Sequence, residues 1–153
     1  MEQFQAIYSR SRIKPAVIQV ESHPYLPLWE LLKYCCKMGI VFLAFAPLGH
    51  AIEPQLLDGP VVASIARRLR NAPAQILLAW AVQRGSALLT TSTNSDRIRQ
   101  NFDISTLPDD ALLELRDEIT TRYRFNSVVE TGILGLPING PVKLRVVSQF
   151  ECR

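Results

Sequence analysis

A chain of 153 residues, 48% hydrophobic and 20% charged, can bury one real core and is not a disordered polymer. Its net charge of +3 is mild, without a Lys/Arg-rich run, which argues against nucleic acid and leaves room for a single anionic cofactor. Apolar runs such as 40–48 and 76–82 are too short to span a bilayer, so no membrane partner is expected.

Taken in order, residues 2–11 read as the last turns of a helix, with Phe4, Ile7 and Tyr8 at helical spacing. Lys14-Pro15 ends it, because proline disfavours the helical region in the residue before it. Residues 16–20 form a short β-branched run, predicted as a strand buried on both faces. His23-Pro24-Tyr25 then turns the chain. Leu28, Leu31, Leu32 and Cys35 fall at i, i+3, i+4 and i+7, and Gly39 closes that helix. The second buried strand is expected over 40–45. A helix follows from Pro60, with Val62, Ile65, Ala66 and Leu69 inward and Arg67, Arg68 and Arg70 on a solvated face. Pro73 opens another, through Ile76, Leu77 and Trp80 to about Gly85. Residues 87–90 read as the third strand. Thr106 is expected to cap a last helix lined by Leu112, Leu115 and Ile119. Beyond Arg122 the period fades; Gly132, Gly135, Pro137, Gly140 and Pro141 break up a loop, and 144–153 reads as an edge strand or as disordered chain.

Residues 88–102 hold the strongest local signal. An apolar strand end passes through hydroxyl and amide side chains into a charged helix, for which Thr93, Asn94 or Ser95 can be the cap. First-turn N–H groups left free, with Arg97 one turn in, would make a phosphate seat; the plainer alternative is a capped helix with a solvated arginine. The wider pattern favours the seat. Strand–helix alternation with short connections means parallel βα units, whose working residues gather at strand C-termini. Here those ends carry Gln19 and Glu21, then Phe45 and Ala46, then Ser92 and Thr93. Cys35, Cys36 and Cys152 make no Cys-x-x-Cys, and no basic-then-apolar leader opens the chain, so a reducing, cytoplasmic setting without disulfides or zinc is expected.

Four segments resemble the aldo-keto reductase family. Lys14-Pro-Ala-Val-Ile-Gln-Val-Glu-Ser-His-Pro-Tyr25 is similar to that family's Lys-Pro-Ala-Val-Asn-Gln-Ile-Glu-x-His-Pro-Tyr. Gly39-Ile-Val-Phe-Leu-Ala-Phe-Ala-Pro-Leu-Gly49 is similar to its next strand, which ends Tyr-Ser-Pro-Leu-Gly. Ala72-Pro-Ala-Gln-Ile-Leu-Leu-Ala-Trp80 and Asp96-Arg-Ile-Arg-Gln-Asn-Phe102 resemble later helices, in order and at family spacing. The resemblance implies an α/β fold: the C-terminal part of a (β/α)8 TIM barrel, about three βα units, incomplete as a barrel. It assigns 1–136 to the C-terminal half of the reductase domain and leaves 137–153 as an irregular tail.

It also implies roles. Gln19 would bond the nicotinamide carboxamide. Phe45 stands where a tyrosine usually stacks on the nicotinamide, and keeps the π face while losing the hydroxyl. Ala46 replaces a common serine; Leu48 and Gly49 would line the pyrophosphate passage. Ser92, with Thr93 beside it, and Arg97 match residues that hold the adenosine 2′-phosphate. Gln100 and Asn101 match those that read the adenine. Thr91 stands where the family has a lysine, so NADP(H) is implied with NAD(H) left open. The family's Asp, Tyr, Lys and His tetrad lies on earlier strands, and no tyrosine here has a legible lysine partner; no catalytic or metal-binding residue is assigned.

The remaining polar residues have plainer readings. His23 and Glu21 are structural, Glu21 bonded to backbone or to a lysine, since an unpaired carboxylate inside an apolar strand is costly. His50 is a loop histidine near a ligand space; Trp29 and Trp80 pack. Two functions are expected from these residues. One is a truncated carbonyl-reducing oxidoreductase that binds a nicotinamide dinucleotide, its small carbonyl substrate belonging to the full-length family. The other is a non-catalytic nucleotide-binding or interaction module, self-associating through open sheet edges.

Overall fold

The computed structural model describes residues 2–50 and 53–126; the 137–153 tail and the edge strand expected within it lie outside them. Nine elements run α1 (Glu2–Arg10), β1 (Val17–Glu21), α2 (Trp29–Met38), β2 (Val41–Phe45), α3 (Pro60–Leu69), α4 (Pro73–Gln83), β3 (Ala87–Leu88), α5 (Ser95–Phe102) and α6 (Asp109–Asp117) among the described residues. The strands form one parallel sheet in the order β1-β2-β3, with Glu21 opposite Phe45 and Leu43 opposite Ala87. Parallel neighbours need crossover connections, and α2 makes the first.

Helix boundaries follow from backbone chemistry. Gly39 takes a left-handed conformation, φ 65°, and its N–H caps the carbonyls of Cys35 and Cys36. Pro60 and Pro73 occupy first turns, where a missing N–H costs nothing. The last helix begins later than expected: Pro108, not Thr106, is its N-cap residue, and no side chain caps it.

The buried side chains divide into two clusters. One gathers Val62, Ile65, Ile76, Leu77, Trp80, Ala111 and Leu115 from α3, α4 and α6. The other sets Leu32 and Cys35 of α2 against Phe42 and Ala44, with Phe4 and Tyr8 of α1 packed on it. Ile7, placed inward by spacing, is exposed instead.

The strands are not buried on both faces. Phe42 and Ala44 are covered, but Val17 is 48% and Val41 49% exposed on the opposite face, because no described element lies over it. The third strand is two residues long and Leu89 is already exposed, since β2 is its one neighbour in the sheet. Arg67, Arg68 and Arg70 are exposed as expected, and on that face Arg68 also pairs with Glu114 at 2.7 Å and Asp110 at 3.3 Å, tying α3 to α6. Cys35 is a free buried thiol, and desolvation pushes its pKa up. No described helix is long and apolar enough to cross a membrane.

Candidate functional site

Alternation along β1 and β2 divides their side chains. Ile18, Val20, Phe42 and Ala44 face the helices, so Val17, Gln19, Val41, Leu43 and Phe45 share the opposite face. Gln19 is exposed there, and its side chain makes no hydrogen bond among the described residues; Phe45, half-buried, lies diagonally across from it. A polar amide and an aromatic face are thus available side by side at the sheet's C-terminal end.

The chain leaves β2 through a tight turn. Gly49 N–H donates to the Ala46 carbonyl at 3.0 Å, Ala46 sits at φ 48° and Gly49 at φ 70°. A left-handed alanine costs about 1 kcal/mol, held in place here by the turn itself. Leu48 is half-buried and packs on the core below. Gly49 has no Cβ for a reason beyond its φ: one added there would stand 2.9 Å from the Phe125 ring.

The third strand end differs from its sequence reading. Asn94 is the cap of α5, and its Oδ1 accepts from Asp96 N–H at 2.9 Å and Arg97 N–H at 3.0 Å. Ser92 Oγ accepts from Asn94 N–H at 3.1 Å. Two first-turn N–H groups expected to be free for an anion are therefore taken by the cap, and Asp96 adds a carboxylate to that turn. What remains is side chains. Thr93 and Arg97 are exposed, and Arg97 makes no ion pair among the described residues. Gln100 and Asn101 follow Arg97 at i+3 and i+4, which puts the three on one helical face.

The best-built part of this end is a carboxylate that spacing could not connect. Glu21, 1% exposed, takes Phe125 N–H at 2.6 Å and His23 Nε2–H at 3.0 Å on one oxygen. Its other oxygen takes Asn126 N–H at 2.9 Å and Asn126 Nδ2 at 3.0 Å. Desolvation by itself would raise this pKa, but the four donors prevail and hold it down at about 2. His23 is fully buried; desolvation outweighs the Glu21 charge and keeps the ring neutral. As its Nε2–H serves the carboxylate, its Nδ1 is a bare acceptor with no partner among the described residues. The expected roles hold: Glu21 is bonded to backbone, and His23 orients it.

A parallel α/β sheet with polar and aromatic groups collected at its strand C-termini has the architecture of a (β/α)8 enzyme, here as an unclosed three-stranded part. Residues 1–117 match the family described as the aldo/keto reductase family, and the chain belongs to it. It is 38% identical over 133 residues to aldo-keto reductase family 1 member A1 of Mus musculus, covering 80% of this chain and 40% of that one. Against the aldehyde reductase YPR1 of Saccharomyces cerevisiae it is 41% identical over 100 residues, 65% of this chain and 32% of the other. A solved aldo-keto reductase from a Medee basin deep-sea metagenome superposes with TM-score 0.74 at 31% identity, over 82% of this chain and 48% of that structure. The aldose reductase of Schistosoma japonicum gives TM-score 0.74 at 33% identity, over 84% and 42%. The chain thus spans less than half the length of these relatives.

Proposed function

We propose that this chain supplies the nicotinamide-dinucleotide side of an aldo/keto reductase whose reaction is the reversible reduction of an aldehyde or ketone to an alcohol. The bound dinucleotide would supply the hydride. Gln19 would hold its carboxamide, Phe45 the flat face of its ring, and Ala46, Leu48 and Gly49 the passage for its pyrophosphate. Ser92, Thr93 and Arg97 would hold the 2′-phosphate, and Gln100 and Asn101 the adenine. The observation that carries the reading is that an exposed amide, Gln19, a half-buried ring, Phe45, and an exposed hydroxyl and cation, Thr93 and Arg97, lie in or after β1, β2 and β3 of one sheet. They fit an NADP(H) or NAD(H) molecule through side chains, not through the helix N-terminus that Asn94 already occupies.

Chemistry by the isolated chain is not part of the proposal. The acid in such a reduction needs a tyrosine hydroxyl beside a lysine. Lys14 does meet Tyr8, but over the ring at 5.1 Å and on the Tyr8 carbonyl at 2.7 Å. It also precedes β1, at the end of the sheet opposite the candidate site. The cytoplasmic setting proposed with it is supported by the free buried thiol of Cys35.

Titration calorimetry with NADPH and NADH tests the assignment. NADPH should bind without turnover. Arg97→Ala should weaken NADPH about 10-fold, the value of one lost charge-assisted contact, and leave NADH unchanged. Equal loss for both would remove the 2′-phosphate role; no binding of either would remove the cofactor reading.

A second reading, a non-catalytic interaction module, is favoured by the exposure of Val17 and Val41 on an uncovered sheet face. Light scattering after gel filtration should then give a mass above the 17.2 kDa monomer. Val41→Lys should return it to monomer.

A further inference from the structure

Residues 119–126 leave α6, cross the strand ends and finish on Asn126, whose side chain touches two other parts of the chain at once. Its Nδ2 donates to Glu21 Oε2 at 3.0 Å, and its Oδ1 is 3.0 Å from His50 Nε2. An ionised carboxylate only accepts, so the amide nitrogen must face Glu21. The amide oxygen therefore faces His50, and His50 must present Nε2–H to it. One side chain thus fixes the tautomer of another across 76 positions of sequence. Phe125 adds to the grip. Its ring presses on the space a Cβ would fill at Gly49, and it lies 6.2 Å from the His50 ring and 4.9 Å from that of His23.

We propose that Asn126 is a positioning residue: it latches the turn 46–50 to the end of β1 and thereby sets the width of the dinucleotide passage. The role in the passage rests on the cofactor reading above; the latch itself does not. Without it, ring packing and the Ala46 carbonyl are what hold His50 and Gly49 among the described residues. A turn that wanders must be ordered again on binding, and affinity falls.

The test uses the full chain and NADPH as probe. Long-range 15N–1H spectra of the protein without NADPH should show His50 as the Nε2–H tautomer, with a slowly exchanging ring proton. In Asn126→Leu the tautomer ratio should relax to the weaker Nε2–H bias of a free imidazole. The Kd for NADPH should rise about five- to tenfold in Asn126→Leu and in His50→Leu, the value of one hydrogen bond. His50→Gln, whose amide N–H can still reach Asn126, should stay within about twofold of the parent on the same scale. The double variant Asn126→Leu/His50→Leu should be no weaker than Asn126→Leu alone, since that single already removes the His50 link together with the Glu21 one. An unchanged His50 tautomer in Asn126→Leu would sink the latch. A changed tautomer with unchanged Kd would sink its positioning role. If the parent chain binds no NADPH, the cofactor reading fails and the passage with it, while the tautomer still decides the latch. Should Asn126→Leu not fold, the contrast of His50→Leu with His50→Gln decides in its place: equal affinities for the two would overturn the latch.

Discussion

Glu21→Gln should lower the stability of this chain by about 2–3 kcal/mol, although it changes one oxygen for one nitrogen in a closed site. Four donors converge on the carboxylate, two on each oxygen. An amide accepts on one side only, so its NH2 must meet two of those donors head on. The carboxylate also predicts a pH dependence. Its folded pKa of about 2 lies below the ordinary 4.5, so its contribution is complete above pH 4.5 and is lost as pH falls toward 2. A shift of that size corresponds to about 3 kcal/mol. His23 acts in the same direction: its folded pKa lies below the ordinary 6.5, so the unfolded chain takes up its proton first and acid favours unfolding. Urea denaturation from pH 7 to pH 2.5 should therefore show stability falling gently below pH 6.5 and steeply below 4.5. In Glu21→Gln the steep limb should vanish, leaving the His23 part. A variant that retains the steep limb would show that other carboxylates govern acid unfolding.

The same carboxylate marks where reading the sequence stops. Helices were legible where the signal is local: Gly39 ends one, Pro60 and Pro73 start two, and the Val62, Ile65, Ala66 stripe is the buried face of α3. Asn94 was among three candidate caps, because Thr93, Asn94 and Ser95 all offer an acceptor at that spacing and only the backbone path chooses between them. The anion seat failed for a related reason: a good cap consumes the N–H groups an anion would need. Gln19 and Phe45 could be placed near strand ends, and Arg97 in a helix, because those positions follow from period; their proposed roles come from the family resemblance. Phe125 and Asn126 could not be so placed. Their partner Glu21 is 104 and 105 positions away, and a contact that distant leaves no period, cap or turn signal in the residues that make it. The strand faces went wrong for a compositional reason. Apolar residues on both faces of β1 and β2 predict cover on both, whereas the described elements cover one.

Arg84 gives the second large effect, and the outcome turns on which residue replaces it. In the structure Arg84 is 5% exposed. Its guanidinium lies 4.3 Å from the centroid of Trp29, 4.4 Å from that of Trp80 and 5.6 Å from that of Phe42. Nη2 donates to the Pro27 carbonyl, while Nε and Nη1 have no partner among the described residues. Burial accordingly pushes its pKa down. Aromatic faces return part of the lost hydration, but a cation with two unmet donors is still held at a cost. Arg84→Ala should destabilise by about 3 kcal/mol, since it opens a cavity beside the two indoles and removes the guanidinium donor from the Pro27 carbonyl, leaving it Ser22 Oγ at 3.4 Å. Arg84→Met fills the same slot with a flexible apolar chain and carries no charge to desolvate, so it should lie within about 1 kcal/mol of the parent or above it. Denaturant melts of the two variants decide the matter. If methionine costs as much as alanine, the guanidinium stabilises this junction through its charge, and the cation–π contacts outweigh the two donors left bare.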